Sequence, residues 1–290
     1  NSIMLDEFTN LQFDENKNEI FSLGELSSRL KTSSFQNKEA IKTYYPELDK
    51  LTEGFFGGEL IILSAPTKSG KTTFCQSITL NLAEHNQSVL WFTLEMSWQE
   101  LTRKFLKMSS DSVNLPIFYP IDNSKLCVAW IKEIAEKAIK ENNIKLLIID
   151  HLHFLLPLRD FHTNISFLVG GIVRDLKKLA VSLNIPIILI CHPGMVHEDD
   201  DISWRNIRDS SFITQESDFT IVMQRVYKKE GKEKVATNDA KISVELNRRT
   251  GAVGKLILTH INGRFYDPLD TKTSEPESSS INIDGVDIEF

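Results

Sequence analysis

The fold of this 290-residue chain is decided by the stretch Leu60-Ile-Ile-Leu-Ser-Ala-Pro-Thr-Lys-Ser-Gly-Lys-Thr-Thr73. Its apolar start, Leu60–Ser64, predicts a buried strand, and the polar residues after it form a short loop with one glycine. A helix-like segment, Thr72–Glu84, follows the loop directly. A strand, a loop and a helix in this order are the context that a phosphate-binding P-loop requires.

The residues of this loop suit the chemistry of a nucleoside triphosphate. Gly70 allows backbone N–H groups to approach the phosphates, and Lys71 supplies a positive charge to the β- and γ-phosphates. Thr72 offers a hydroxyl to Mg²⁺. The loop opens with Ala65 in place of the usual glycine, a mild departure from the motif. The residues expected to bind ATP here are Ala65, Ser69, Gly70, Lys71, Thr72 and Thr73.

Short apolar runs alternate with helix-like segments along most of the chain. The predicted strands are Leu60–Ala65, Val89–Leu94, Leu146–Ile149, Ile187–Cys191 and Thr220–Met223. The predicted helices between them are Thr72–Glu84, Gln99–Lys107, Lys125–Glu141 and Ser166–Leu183. This alternation predicts an α/β fold with a mostly parallel sheet and helices on both faces. The later runs Ile242–Leu246, Lys255–His260 and Arg264–Tyr266 predict antiparallel strands that extend the sheet.

Composition excludes several classes of protein. Hydrophobic residues make up 41% of the chain and charged residues 25%, which is enough for a sizeable core and excludes wholesale disorder. The formal net charge of -7 argues against a surface that is basic throughout, but leaves a local basic channel open. The three cysteines lie singly among apolar neighbours, without Cys-x-x-Cys or Cys/His ligand spacing, so we expect neither a zinc site nor a disulfide framework. This favours a reducing compartment. No apolar run approaches about 18 residues and no secretory leader is visible, so we expect a cytoplasmic protein without a membrane span.

Three regions are predicted along the chain. Residues 1–44 are expected to form an N-terminal arm with a linker helix, in which leucines recur at helical spacing after Ser22, a cap paired with Glu25. That helix packs either on its own domain or on a neighbouring subunit. Residues 45–270 are expected to form the nucleotide-binding domain. Residues 271–290 are expected to form a flexible acidic tail.

Two carboxylates follow predicted strands and are expected to face the phosphates. Asp150 comes directly after four apolar residues, and ligands bind at the carboxyl ends of strands in such sheets. We expect Asp150 to bind Mg²⁺ together with Thr72. Glu95 ends the run Val89–Leu94 and is predicted to be the catalytic base. A cap for the helix that begins near Ser97 is the alternative for Glu95.

Three histidines lie at the ends of predicted strands. His192 follows Ile187–Cys191, where an imidazole is placed to hydrogen-bond the γ-phosphate and to report its loss. A structural histidine is the alternative. His151 and His153 form a His-x-His pair, but the sequence shows no third ligand beside them. The pair therefore favours a strand exit over a metal site.

These motifs together resemble the RecA-fold motor of DnaB-type replicative helicases, and most closely the phage primase–helicases and the mitochondrial helicase Twinkle. The motifs that carry the resemblance are Ala65–Thr72, Leu94–Ser97, Leu147–His151, Ile190–His192 and Asn247–Gly254. The resemblance implies a RecA-like P-loop NTPase core that assembles into a hexameric ring. It also implies ATP and Mg²⁺ bound between subunits, single-stranded DNA as substrate, and a primase or loader as a further partner. For localisation it keeps a mitochondrial origin open beside a prokaryotic or phage-infected cell.

In that family an arginine from the next subunit completes the site, and a guanidinium on the developing charge accelerates cleavage by several powers of ten. The spacing to Gly251 in the phage and Twinkle motif identifies Arg248 as this arginine finger, which is the assignment that we prefer. The shorter bacterial spacing to Gly254 selects Arg249, which we also expect at the nucleotide. Arg225 matches a position that stacks on adenine in the phage enzymes, and a solvent-exposed arginine at a strand end is the alternative.

The resemblance also indicates which loops grip DNA. They follow the strands that end at Asp150 and Cys191, and they contain Arg159 and Arg205. The second loop also carries the acidic run Glu198–Asp201, which repels phosphate. The arginines therefore either track a DNA backbone or pair with neighbouring acids.

Three functions are compatible with these motifs. The first is an ATP-driven DNA-unwinding motor, which the resemblance favours. The second is an ATP-regulated assembly or clamp factor that does not unwind DNA. The third is a P-loop kinase for a small molecule, which is weakened because Arg248 and Arg249 lie on a late strand and not in a lid.

Overall fold

The computed structural model describes residues 22–25, 27, 40–109, 113–122, 126–156, 165–193, 203–207, 210–230 and 233–268. The chain divides into two compact units, Asn1–Glu39 and Ala40–Phe290, which are described separately. The larger unit begins before residue 45, the start predicted for the domain. Ile41 explains this start, because it exchanges two backbone hydrogen bonds with Phe55 and joins the buried core.

The smaller unit contains the predicted helix start. Leu23–Glu25 are helical, and the backbone N–H of Glu25 donates to the Ser22 hydroxyl over 3.3 Å. The Ser22 N–H in turn donates to the Glu25 carboxylate over 2.7 Å. These reciprocal contacts form the predicted capping box. Leu26 and Leu30, which define the rest of the predicted apolar stripe, lie outside the described residues.

The elements of the larger unit match the predicted alternation of strands and helices. The helices are α1 Pro46–Thr52, α2 Lys71–Glu84, α3 Trp98–Met108, α4 Val128–Asn142, α5 Ile165–Leu183 and α6 Ser210–Glu216. The strands are β1 Leu60–Ser64, β2 Ser88–Thr93, β3 Ile117–Phe118, β4 Ile144–Asp150, β5 Ile187–Cys191, β6 Phe219–Glu230, β7 Glu233–Asn247, β8 Gly254–Ile261 and β9 Arg264–Tyr266. Among the helices that the structure describes, none is long and apolar enough to cross a membrane.

These nine strands belong to one sheet, in the order β3-β2-β4-β5-β1-β6-β7-β8-β9. The first six strands in this order, from β3 at the edge to β6, run parallel to one another. Strand β1 lies between β5 and β6. From β6 to β9 the pairing is antiparallel. The predicted α/β fold, parallel in its first part and antiparallel at the C-terminal end, is therefore confirmed.

Each face of the sheet carries its own apolar core. Ile61 and Leu63 of β1 point into one core, which α2 and α3 cover. Leu60 and Ile62 point into the other, which α4 and α5 cover. The fully buried run in β1 follows from this arrangement, because a parallel strand with helices on both faces has no side for polar residues.

Candidate nucleotide site

The P-loop lies between the carboxyl end of β1 and the start of α2. Gly70 has a backbone φ of 92°, a left-handed conformation that glycine adopts without strain. A Cβ atom at Gly70 would lie 3.2 Å from Phe265 and 3.3 Å from Met223. The glycine thus permits both the turn and the close packing beneath it. The first N–H groups of α2 face the loop and carry the positive end of the helix dipole.

The Lys71 side chain is held inside the loop. Its ammonium donates to the carbonyl oxygens of Ala65, over 2.8 Å, and Pro66, over 3.1 Å. Burial lowers the pKa of Lys71, while the nearby charges of Asp150 and Glu95 raise it. The ammonium therefore lies among the groups that the sequence predicted around the phosphates.

Thr72 and Asp150 meet at the carboxyl edge of the sheet. The Thr72 hydroxyl donates to Oδ2 of Asp150 over 2.9 Å, and Oδ1 of the same carboxylate is buried without a hydrogen-bond partner among the described residues. Burial raises the pKa of Asp150 to about 6, against the opposing effect of the Thr72 hydrogen bond. A hydroxyl and a carboxylate with a spare oxygen are donors that suit Mg²⁺. These two residues therefore fit the ion that the fold family implies.

Glu95, His151 and His192 converge beside Asp150. One ligand atom from each lies within 4.8 Å of the other two. The rings of His151 and His192 have their centroids 3.8 Å apart, because β4 and β5 are adjacent parallel strands that end at the same edge. Glu95 follows β2, which pairs with β4 on its other side, and its side chain is exposed. Strand order therefore brings together residues from three distant parts of the chain.

The environment keeps these imidazoles neutral. Burial, with smaller effects from His192 and His153, lowers the pKa of His151 to about 3. Burial and the Lys71 ammonium lower the pKa of His192, although Glu95 opposes them. A neutral imidazole has one ring nitrogen that donates a hydrogen bond and one that accepts. At neutral pH both rings can therefore bind a phosphate oxygen or a metal ion, according to their tautomer.

A cavity opens beside the P-loop on the antiparallel side of the sheet. It is lined by Lys68, Ser69, Gly70, Thr73, Arg225, Asn238, Asp239, Ala240, His260 and Phe265. Arg225 thus lies near the loop, with its Nε donating to the Thr237 carbonyl over 3.0 Å. The prediction that the strand ends near Arg225 is wrong, since β6 continues to Glu230. Pairing with β7 along its length explains the extension, which local hydrophobicity does not reveal.

Arg248 lies at the opposite edge of the sheet from the P-loop. Its backbone N–H donates to the Asp218 carbonyl, and Asp218 in turn accepts from the N–H of Leu60, at the start of β1. The five residues of β1, at about 3.3 Å each, separate the two edges by roughly 16 Å. Arg248 is exposed, and its guanidinium donates to the carbonyl oxygens of Thr214 and Gln215.

Arg249 has a different environment from its neighbour. Its guanidinium donates to Glu59 over 2.6 Å and to the Gly54 and Thr52 carbonyls, and it lies 4.3 Å above the Phe56 ring. These contacts belong to its own subunit and lie at the same edge as Arg248. The side chain therefore ties the β7–β8 turn to the segment before β1. The contact of Arg249 with nucleotide stays a prediction.

Of the two arginines predicted to contact DNA, Arg159 lies outside the described residues. Arg205 lies in a short 3₁₀-helix, Trp204–Asn206, and its exposed guanidinium is 5.4 Å from the centre of the Trp204 ring. A backbone bridge between Pro193 and Ile207 closes the base of the loop that carries Arg205. The loop therefore begins at the same edge of the sheet as His192.

Sequence reasoning missed two features of this site. Asn238, Asp239 and His260 line the cavity from β7 and β8, and no local motif marks them. The sequence favours a strand exit for His151, because it shows no third ligand beside the His-x-His pair. The available signal was that Glu95, His151 and His192 all follow apolar runs, and parallel strands end at one edge.

The fold and this site define a P-loop NTPase with a RecA-like sheet. A family model described as an AAA domain matches residues 26–198, which is more than half of the chain. The chain belongs to this family, and nucleotide binding is implied by that membership. Among solved structures, one described as an ATPase domain is similar with a TM-score of 0.72 and 20% identity, covering 86% of this chain and 99% of that one.

Curated relatives support the resemblance found in the motifs. The replicative DNA helicase DnaB of Rickettsia conorii is 25% identical over 289 residues, covering 83% of this chain and 58% of that protein. DnaB of Geobacillus stearothermophilus is 28% identical over 251 residues, covering 76% of this chain and 54% of that protein. The predicted resemblance to DnaB-type replicative helicases is confirmed, and the chain spans little more than half the length of these relatives. The closer resemblance to phage primase–helicases and Twinkle stays a prediction.

Proposed function

We propose that this chain is the ATP-hydrolysing motor of a replicative DNA helicase, which translocates on single-stranded DNA as a ring. The observation that carries the proposal is the convergence of Lys71, Thr72, Asp150, Glu95 and His192 at one edge of the sheet. These are the groups that phosphoryl transfer to water requires. The similarity to relatives named replicative DNA helicases supports a coupling of ATP hydrolysis to DNA in the proposal.

Each residue has a defined part in the proposed reaction. Thr72 and Asp150 would hold Mg²⁺, which neutralises charge on the β- and γ-phosphates when bound. Lys71 turns from the loop carbonyls to the phosphate oxygens. Glu95 accepts a proton from the attacking water. The neutral imidazole of His192 donates a hydrogen bond to a γ-phosphate oxygen and loses this partner after cleavage.

The proposed site is completed by a second subunit. Arg248 lies roughly one strand length from the P-loop of its own chain, too far to reach the same γ-phosphate. Its side chain is exposed, and its hydrogen bonds within the described part of the chain go to carbonyl oxygens. This arrangement supports Arg248 as the finger that enters a neighbouring site. A head-to-tail contact of this type, repeated, closes into a ring.

DNA would pass along the loops that follow β4 and β5. Arg205 is available for phosphate contact, and Arg159 is proposed on sequence position alone. Arg225 is proposed to flank the base of ATP, given its place on the cavity wall. One structural neighbour is described as a DnaB-like replicative helicase together with its interactions with primase, which suggests a primase or loader as partner here. A replicative role places the protein in the cytoplasm of a prokaryotic or phage-infected cell, with mitochondria as the other location.

The test measures ATP turnover by the full chain with and without single-stranded DNA, followed by unwinding of a forked duplex. We expect DNA to stimulate turnover and the fork to be separated. Lys71→Ala should reduce turnover by at least about a hundredfold, because an uncompensated phosphate charge remains. Stimulation without unwinding, or none at all, would favour the clamp factor, for which the acidic run Glu198–Asp201 in a proposed DNA loop is an argument.

A further inference from the structure

A group of metal-ligand side chains lies next to the proposed Mg²⁺ position but does not include its residues. It consists of Glu95, His151 and His192, whose ligand atoms lie within 4.8 Å of one another. Two imidazoles and one carboxylate form a donor set that borderline transition metals prefer. The neighbouring Thr72 and Asp150 offer only oxygen, which suits Mg²⁺. The two sets therefore differ in chemistry although they share one edge of the sheet.

The hydrogen bonding of His151 points to a ligand. The side chain is only 1% exposed, yet neither ring nitrogen has a hydrogen-bond partner among the described residues. Nδ1 of His192 is likewise buried without such a partner. Buried polar groups are almost always satisfied, so an orphaned imidazole between other donors requires an explanation. A bound cation would satisfy a ring nitrogen of each.

The geometry needs only a small adjustment to hold an ion. A tetrahedral Zn²⁺ with bonds of about 2.1 Å keeps its ligand atoms about 3.4 Å apart. The Glu95 side chain is exposed, so it has room to move toward that position, while the two histidines directly follow adjacent strands. Three protein ligands leave a fourth position for water or a phosphate oxygen.

We propose that Glu95, His151 and His192 form a binding site for Zn²⁺ or a similar transition metal, and that its occupation inhibits ATP cleavage. Inhibition follows because a metal-bound Glu95 carboxylate no longer accepts a proton from water. That consequence depends on the proposed catalytic function, whereas binding of the metal does not. The two parts are therefore measured separately.

The binding test titrates the tag-free full chain with Zn²⁺ in millimolar Mg²⁺, using a chromophoric chelator as competitor. We expect one Zn²⁺ per chain, and at least about tenfold weaker binding in His151→Gln and Glu95→Gln, since loss of even an outer-shell partner weakens metal sites by that much. Cys127→Ser is the matched control, because it removes an exposed thiol far from the cluster in sequence. It should bind as the wild type does.

Three results would overturn the metal site: no Zn²⁺ binding by the wild type, binding unchanged in both ligand variants, or binding lost in Cys127→Ser. Thermal melts establish whether each variant is folded. Should the buried substitution His151→Gln not fold, Glu95→Gln and His192→Gln, at less buried positions, decide the question. Zn²⁺ that binds as expected but leaves ATP turnover of the wild type unchanged would overturn the inhibition and the role of Glu95, and leave the site intact.

Discussion

Two adjacent arginines differ in what their side chains contact. Arg249 is about three-quarters buried and pairs with Glu59, which is buried further still. Arg248 is exposed and donates to carbonyl oxygens near the end of α6. Hydrogen bonds between charged groups contribute more than those to neutral ones, particularly where water is excluded. Arg249 is therefore expected to stabilise the fold, and Arg248 to be available for function.

This difference predicts unequal effects of two alanine substitutions. Arg249→Ala should lower the free energy of unfolding by about 2–3 kcal/mol, because Glu59 keeps its buried charge but loses its cationic partner. Arg248→Ala should lower it by less than about 1 kcal/mol. Urea unfolding of the two variants measures both values. Equal losses would show that Arg249 does not tie the β7–β8 turn to the segment before β1.

The end of helix α5 packs on the turn that leads into β1. A Cβ atom placed on Gly57 would lie 2.6 Å from Oδ1 of Asn184 and 2.7 Å from its carbonyl carbon. Asn184 itself has a φ of 52°, and it follows the last residue of the helix. Only a residue without a side chain fits at Gly57. This contact sets how closely α5 approaches the strand that carries the P-loop.

Two glycine substitutions test this contact. Gly57→Ala should destabilise the protein by roughly 1–3 kcal/mol, since backbone atoms must move apart to admit the methyl group. Gly171→Ala is the matched control within α5, where the added Cβ would meet nothing within 4 Å. It should stabilise by about 0.5–1 kcal/mol through helix propensity. Thermal unfolding separates the two, and a neutral Gly57→Ala would mean that the helix end moves freely.

The parallel sheet separates the two halves of the proposed site. The P-loop, Asp150 and Glu95 lie at the carboxyl edge, while Arg248 lies at the amino edge. A strand is too stiff and too long for one chain to bring both to the same phosphate. Head-to-tail assembly of copies would place the amino edge of one subunit, with Arg248, against the carboxyl edge of the next, with its P-loop. Oligomerisation is therefore expected to be a condition for turnover.

Mixing two inactive variants tests this expectation. Arg248→Ala and Glu95→Ala should each bind ATP but not hydrolyse it. In a mixed ring about a quarter of the interfaces would combine an intact Glu95 with an intact Arg248 from the neighbour. Turnover should return to about that fraction of the wild-type value. A mixture as inactive as its components, or a wild-type chain fully active as a monomer, would contradict a site shared between subunits.

The sequence was sufficient for the features that depend on local order. Apolar runs, and the residues that come directly after them, predict the P-loop and most of the strands and long helices. They also predict the candidate residues Glu95, Asp150 and His192. Some of the shorter elements were not predicted. Helix α1 does carry a helix-start signal, because Pro46 stands at its first position and acidic residues follow it. β3 has two residues and α6 seven, too few for a period to show.

Which of these local features meet depends on the order of the strands in the folded sheet. The pairing of β4 with β5 brings His151 against His192, and the turn after β7 brings Arg249 to Glu59. Such contacts join residues far apart in the chain, and their energy depends on strand order and on burial. A local sequence pattern specifies neither the strand order nor these contacts, because the same apolar run fits any position inside a parallel sheet.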